Sequence, residues 1–357
     1  MKKWVCWFVI VLVAVFSGGC TDQEENRDTA RKEKKPPEIR VMTHDSFSVS
    51  AEVISTFEKE HNVKVTFLKS GDAGEALNKA ILAGDKPLAD VFYGVDNTFL
   101  SRALEQDIFR SYDSPLLSSV DDSLKLDPSN RLLPMDYGDV CINYDIEWFK
   151  DKKIQPPESL EELILPRYKG LLAVENPATS SPGLAFLLTT VARFGDPGYL
   201  DFWEKLKQNG VVVTSGWEQA YWGKFSAASE GDLPMVVSYA SSPAAEVHFS
   251  EEELDRAPTG VLTAEGSAFR QIEFAGIFKG TEQPELAEKM IDFFLSKTFQ
   301  EDIPLQMFVF PANTEAQLPA VFQKHARLSK TPAQVPFEKI TKNRDKWIEE
   351  WTQAVLH

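Results

Sequence analysis

In the first third of the chain, short apolar runs of strand length alternate with segments whose apolar residues have helical spacing. The segments EIRVMTH, VKVTFL and LADVFYG are apolar runs of strand length, and the third is almost continuously apolar, which is typical of a parallel strand covered on both faces. The segments SVSAEVISTFEKEHN, GEALNKAILAG and NTFLSRALEQ follow these strands and have the spacing of amphipathic helices. This βαβαβα order predicts an open α/β sheet, in which ligands bind beyond the carboxyl ends of the strands.

Each loop that follows one of these three strands carries an acidic residue. The loops are HDSF at 44–47, SGDA at 70–73 and GVDN at 94–97, so the acids are Asp45, Asp72 and Asp96. An aspartate in such a loop either faces a ligand or accepts a hydrogen bond at the start of the next helix. Both interpretations stay open for each of the three.

The middle and the end of the chain predict a second lobe followed by a return to the first. The segment LLPMDYGDVCINYD is predicted to cross between the lobes, and RQIEFAGIFKGT is predicted to cross back. The last helix carries Trp347 and Trp351 four residues apart, and both are predicted to lie in the core. We therefore expect lobe 1 at 38–134 and 273–357 and lobe 2 at 135–272, each a mixed sheet flanked by helices.

The stretch from 215 to 249 has the features of a small-molecule cleft. A helical segment rich in aromatic residues begins at Trp217, and the strand PMVVSYA, which contains Tyr239, leads into Ser241-Ser242-Pro243. Serine before proline marks a helix start, and Ser180-Ser181-Pro182 is a second example. Helix starts and aromatic faces can together bind a small molecule, although the rings could equally be core residues.

Composition and charge narrow the class of function. The chain has 357 residues, 43% of them hydrophobic, and a formal net charge of −16. This charge disfavours nucleic acid as a partner and is compatible with a cationic ligand. The histidines and cysteines lack the spacing of metal ligands, and none of the common hydrolase, zinc-protease or phosphate-loop motifs occurs. We expect a binding protein without a cofactor or a metal, in which Cys141 is a buried and inert thiol.

The N-terminus predicts export. Two lysines, a hydrophobic run and small residues precede Cys20, which is typical of a bacterial lipoprotein signal. Ser17 stands where such signals usually carry leucine, so an ordinary signal peptide or an uncleaved anchor stays an alternative. We expect a signal peptide at 1–19, an acylated Cys20, a charged flexible tether at 20–37, and anchoring to the outer face of the cell membrane.

Seven segments of the chain, several of them described above, resemble the periplasmic thiamine-binding proteins of ABC importers. Those proteins are two-lobed solute-binding proteins of the type II fold. The resemblance covers residues 41–356 approximately. It rests on seven segments: HDSF, ADVFYGVDN, DYG at 136–138, TSSPGLAFLL, GWEQAY, SYASSPA and KWIEEWTQAV. It implies an α/β fold, a monomer, thiamine or a thiamine phosphate as the ligand, and an ABC permease as the partner.

The resemblance also implies a set of ligand-binding residues. These are Asp45, Asp72, Ala73, Ser180, Ser181, Trp217, Tyr239, Ala240, Ser241, Ser242 and Phe308. The chain departs from the resembling proteins at three positions: it has His44 in place of tyrosine, Ala73 in place of glycine and Phe308 in place of tryptophan.

The chemistry of thiamine fits this set. Aromatic faces attract its thiazolium cation by roughly 0.5–2 kcal/mol each, and a carboxylate such as that of Asp72 can accept a hydrogen bond from the aminopyrimidine. The helix starts suit a hydroxyl group or a phosphate at the other end of the ligand. Three alternatives stay open: a polyamine binder, an iron binder, which the lack of adjacent tyrosines disfavours, and a thiamine-degrading enzyme with Cys141 as its nucleophile.

Overall fold

The computed structural model describes residues 36–357, and its strands and helices alternate as the apolar pattern predicts. The predicted signal peptide, Cys20 and nearly all of the tether lie outside the described residues. The strands are β1 (Glu38–Thr43), β2 (Lys64–Lys69), β3 (Val91–Asp96), β4 (Phe109–Arg110), β5 (Leu133–Asp145), β6 (Leu172–Glu175), β7 (Val212–Thr214), β8 (Met235–Tyr239), β9 (Thr259–Leu262), β10 (Phe269–Phe278) and β11 (Phe310–Pro311).

Helices lie between most of the strands. They are α1 (Ala51–His61), α2 (Ala73–Ala83), α3 (Leu100–Glu105), α4 (Ile146–Lys152), α5 (Ser181–Phe194), α6 (Gly198–Gln208), α7 (Trp217–Lys224), α8 (Ser242–Phe249), α9 (Pro284–Leu295), α10 (Lys297–Gln306), α11 (Ala320–His325) and α12 (Phe337–Leu356). None of these helices is both long enough and apolar enough to cross a membrane.

The strands form one mixed sheet in the order β2-β1-β3-β10-β5-β8-β6-β7, with β4 on β10 and with β9 and β11 on β5. The first three strands are parallel to one another, as predicted, while β10 and β5 are antiparallel to their neighbours. The α/β fold class is thus confirmed. The predicted lobe boundaries fall inside the two central strands β5 and β10, and the division itself stays a prediction.

The two tryptophans of the last helix, which are four residues apart, both lie in the core. Trp347 and Trp351 are both fully buried, as predicted, and Trp351 packs edge-on against Trp203 of α6 at a centroid distance of 5.4 Å. The same helix reaches the first half of the sheet, where the Arg344 guanidinium lies over the ring of Phe99. Helix α12 therefore contacts elements from both of the predicted lobes.

The sequence also predicts a helix at ESLEELILP and an apolar strand or loop at MFVFPAN, and the first of these two predictions was wrong in detail. The segment ESLEELILP forms a short 3-10 helix, Leu160–Ile164, in place of an α-helix. Pro166 restricts the residue before it, and Leu165 is extended with ψ of 144°, so the helix ends there. The segment MFVFPAN is mostly loop, and only Phe310–Pro311 pairs with β5. In this loop Phe308 has φ of 57°, in the left-handed region that favours glycine.

Candidate functional site

A cavity of about 240 Å³ lies at the carboxyl ends of the first strands, where the α/β topology predicts a ligand site. Helices α2, α5, α7 and α8 direct their N-termini towards it, and the loop after α10 forms the opposite wall. Residues far apart in sequence therefore share one small volume.

The structure brings eight of the eleven predicted site residues into the wall of this cavity. They are Asp72, Ala73, Ser181, Trp217, Tyr239, Ser241, Ser242 and Phe308. Their contact with a ligand stays a prediction.

The other three predicted residues lie beside or behind the wall. The carboxylate of Asp45 accepts a hydrogen bond from the Gly71 backbone N–H at 2.8 Å and so joins two loops. Ala240 is fully buried and packs with Cys141 in a small apolar cluster. Ser180 is fully buried behind Ser181, and its hydroxyl has no partner among the described residues.

Asp72 caps three helices at once. It is the N-cap of α2, where Oδ1 accepts a hydrogen bond from the Ala73 N–H at 2.7 Å. The same oxygen lies 3.4 Å from the N–H of Ser181 at the start of α5, and Oδ2 accepts from the N–H of Trp217 at the start of α7 at 3.0 Å. Neither α5 nor α7 has a capping side chain of its own, so the Asp72 carboxylate satisfies donors that their N-termini leave free.

Two glycines permit this approach. A Cβ on Gly216 would lie 2.9 Å from Asp72 Oδ2, and a Cβ on Gly74 would lie 3.0 Å from the carbonyl oxygen of Thr179. Burial raises the pKa of Asp72 above its ordinary value, although the hydrogen bonds from Trp217 and Ala73 act against that shift. The N-cap interpretation of this loop acid is therefore confirmed, and the same side chain also faces the cavity.

A row of three acids crosses the sheet beneath the cavity. Glu273 of β10 is paired in register with Asp96 of β3 on one side and with Asp136 of β5 on the other. Burial raises the pKa of Asp96 to about 6, and burial together with the charge of Glu273 raises the pKa of Asp136 well above its ordinary value. Tyr93 donates its hydroxyl hydrogen to Asp136 at 2.5 Å, and the hydroxyl of Ser181 donates to Asp96. Asp96 therefore links β3 to the start of α5.

His44 faces this row from the loop after β1. Its Nε2 atom lies 3.4 Å from Glu273 Oε2, and a Cβ on Gly94 would lie 2.5 Å from its Cδ2 atom, so glycine leaves room for the imidazole. Burial by itself lowers the pKa of His44, but Glu273, Asp72 and Asp136 together raise it above its ordinary value. The acids around His44 thus favour its protonated form more than water does for a free imidazole.

The aromatic helix has both core and cavity residues. Tyr221 is buried and its ring stacks on that of Trp217, with centroids 4.9 Å apart and planes at 15°. Trp217 also donates its indole N–H to Ser238 Oγ at 2.9 Å and meets Tyr239 edge-on at 6.4 Å. Trp222 lines the cavity but is 47% exposed. Trp217 and Trp222 are therefore cavity residues, whereas Tyr221 supports them from the core while its edge reaches the wall.

Phe249 and Phe308 meet across the mouth of the cavity. Their ring centroids are 5.3 Å apart, although Phe249 ends α8 and Phe308 lies in the loop after α10. Sequence reasoning did not predict Phe249, Glu273 or His44 as site residues. An acid within the apolar strand β10 was the available signal for Glu273, and the substitution of His44 for tyrosine was the signal for that position.

The thiol of Cys141 lies apart from the cavity. Cys141 is fully buried, as predicted, outside the cavity wall, and burial raises the pKa of its thiol well above the ordinary value. Its sulfur lies 3.5 Å from the side-chain oxygen of Asn143. Among residues 36–357 no group of histidine, cysteine and carboxylate side chains is arranged to hold a metal ion.

Comparison with known proteins agrees with this geometry. The family model for bacterial extracellular solute-binding proteins matches residues 86–343. The thiamine-binding periplasmic protein of Brucella abortus is 33% identical over 325 residues, which are 88% of this chain and 91% of that protein. The protein of the same name from Salmonella typhimurium is 32% identical and covers 89% of this chain and 94% of its own length.

Solved structures have the same architecture. A periplasmic thiamin binding protein superposes with a TM-score of 0.78 at 29% identity, covering 90% of this chain and 96% of that one. The apo ferric ion-binding protein A of Pasteurella haemolytica superposes with a TM-score of 0.71 at 17% identity, with 89% and 97% covered, which shows the shared two-lobed fold alone. The similar sequences named above are binding proteins and not enzymes, as expected for this chain. The chain belongs to the bacterial extracellular solute-binding proteins and, within them, to the family of the thiamine-binding periplasmic proteins.

Proposed function

We propose that this protein binds thiamine in the cavity and delivers it to the permease of an ABC importer. The proposal rests on the acidic and aromatic side chains that line the cavity. Three acids, Asp72, Glu218 and Glu273, line it together with several aromatic rings, and no lysine or arginine is among the described lining residues. Aromatic faces and carboxylates without a lysine or arginine beside them in a partly buried site favour an organic cation.

The two ends of the ligand would meet different chemistry. The thiazolium would lie against Trp217 and Tyr239, where each ring is worth roughly 0.5–2 kcal/mol. The hydroxyethyl arm or its phosphate would reach the N-terminus of α8, where Ser241 is buried and its hydroxyl has no partner among the described residues. The N-termini of α5 and α7 are less available to a phosphate, because Asp72 already bonds them.

Calorimetric titration with thiamine, its monophosphate and its diphosphate tests the proposal. We expect all three to bind within about tenfold of one another, or about 1.4 kcal/mol, since one free helix start favours the phosphate and the three acids oppose it. A hundredfold loss on adding one phosphate would mean that α8 does not contact the ligand arm. Putrescine and ferric iron serve as competitors, and tighter binding of either one than of thiamine contradicts the proposed ligand.

We further propose that the protein is a monomer anchored to the cell membrane through acylated Cys20. The support is the sequence of the first twenty residues, in which small residues directly precede Cys20 after a hydrophobic run. Mass spectrometry of protein extracted from membranes is expected to show a diacylglyceryl-modified Cys20 as the first residue. An intact Met1 would contradict the anchor, and light scattering of the detergent-free soluble domain tests the monomer.

A further inference from the structure

His44 is the one group lining the cavity, within the described chain, that can carry a positive charge. Its ring is largely buried, with 13% of the side chain exposed, and Nε2 makes no hydrogen bond within the described residues. The atom nevertheless lies at ion-pair distance, 3.4 Å, from Glu273 Oε2. The imidazole thus occupies the place at which an organic cation would meet the acids of the cavity.

The charged groups that act on His44 come from three elements besides its own loop, and all of them are acids: Glu273 of β10, Asp136 of β5 and Asp72 at the start of α2. On β3, Asp96 is paired in register with Glu273, and the phenol of Tyr93 donates a hydrogen bond to Asp136. The phenol of Tyr239 on β8 accepts a hydrogen bond from Gln271, which also donates to Glu273. Lys69 lies nearby, but its ammonium is directed to the carbonyl oxygen of Asp45 at 2.7 Å.

We propose that His44 is an exchangeable counter-ion, whose imidazolium pairs with Glu273 in the free protein and loses its proton when an organic cation enters the cavity. The inference rests on the proposed binding of thiamine. The N–H bond of the imidazolium breaks, the proton passes to the buffer, and the carboxylates that balanced the imidazolium then balance the thiazolium. The net charge of the site is thereby conserved on binding.

The sign of the linkage follows from this exchange. The neighbouring acids raise the pKa of His44 in the free protein, and a permanent cation beside it lowers that pKa in the complex. Binding therefore releases a proton, so affinity is highest above the raised pKa and falls as the pH drops through it. A single proton limits the change to about tenfold for each pH unit.

Calorimetry at pH 6, 7 and 8 with thiamine tests the role of His44 against His44→Gln, which cannot carry the charge. Because the pKa of His44 in the free protein is raised above its ordinary value of 6.5, we expect the wild-type Kd to rise at least about fourfold from pH 8 to pH 6, and the Kd of His44→Gln to rise distinctly less. At pH 6 the variant is expected to bind thiamine more tightly than the wild type. Titration in phosphate and in Tris at pH 7 counts the released protons, and the variant is expected to release fewer.

Controls separate His44 from the acids, which also release protons when a cation binds. His325→Gln removes a histidine of α11 outside the cavity wall and is expected to keep the wild-type pH profile. The uncharged thiophene isostere of thiamine is expected to release no proton from either protein. His44→Asn, with a smaller side chain, replaces His44→Gln where the latter does not fold.

Each outcome decides between the two proposals. Parallel pH profiles of wild type and His44→Gln, or equal proton release, overturn the counter-ion role while leaving thiamine binding intact. Absence of thiamine binding at every pH overturns the proposed function, and the same titrations with putrescine then test His44 with another organic cation. A protein that binds neither cation contradicts both proposals.

Discussion

Replacing Asp72 by alanine removes a carboxylate that caps three helices. The bond from the Trp217 N–H at 3.0 Å is charge-assisted, and bonds of that kind contribute about 1.5–3 kcal/mol. Loss of the N-cap of α2 costs about 1 kcal/mol more, while the 3.4 Å approach to Ser181 is long enough to contribute little. We therefore expect Asp72→Ala to lower the free energy of unfolding by roughly 3 kcal/mol.

Urea unfolding at pH 8, followed by tryptophan fluorescence, measures this loss. Because burial raises the pKa of Asp72, the higher pH favours the ionised carboxylate in the folded protein. Asp72→Asn keeps one acceptor oxygen and is expected to lose about half as much, since its amide nitrogen cannot accept from Trp217. Glu75→Ala on the same helix is the matched control, because its ion pair with Lys79 is solvent-exposed and contributes less than about 0.5 kcal/mol.

A stability of Asp72→Ala within about 0.5 kcal/mol of the wild type would refute this reasoning. It would mean that water satisfies the N-termini of α5 and α7 as well as the carboxylate does. A loss shared equally by Asp72→Ala and Glu75→Ala would instead point to a general effect of charge on α2.

Three further predictions address the rings, the thiol and the buried acid. Trp217→Ala is expected to weaken thiamine binding by about 1–3 kcal/mol without unfolding the protein, whereas Trp217→Phe is expected to keep most of the affinity. Calorimetry measures the affinity of both variants and thermal melting measures their stability. If Trp217→Ala is unfolded, this ring is a core residue. Cys141→Ser is expected to bind thiamine within about twofold of the wild type, with no release of free pyrimidine or thiazole in chromatography of either protein. Burial raises the pKa of Asp96 from 3.8 to about 6, so the folded state binds the proton more tightly than the unfolded state, and wild-type stability should rise as the pH falls from about 7 to about 5. Asp72, Asp136 and His44 also have raised pKa values and contribute in the same direction, so Asp96→Asn should show a smaller rise than the wild type in urea unfolding at the two pH values. Equal slopes for both proteins would contradict the role of Asp96.

The alternation of strands and helices in the first third of the chain followed from the sequence, because a period of apolar residues is a local property. The same holds for the helix starts at Ser180 and Ser241 and for the burial of Trp347 and Trp351. The prolines were predicted at the first helical position and lie one residue later, at Pro182 and Pro243, within the first turn. A proline in the first turn and a repeat of apolar residues act over a few residues only. Where the local signal was weak, as in the proline-flanked segment ESLEELILP, the prediction was wrong.

Only the tertiary structure decided how the acids of the loops are used. Two of the three N–H groups that Asp72 caps belong to residues 109 and 145 positions further along the chain. The pairing of Glu273 with Asp96 and Asp136 depends on the register of three strands, and the approach of His44 to Glu273 depends on the room that Gly94 leaves. Sequence shows which residues carry charge. Whether a charge caps a helix, titrates or faces a ligand depends on the distance and burial that folding imposes, because electrostatic energies change steeply with both.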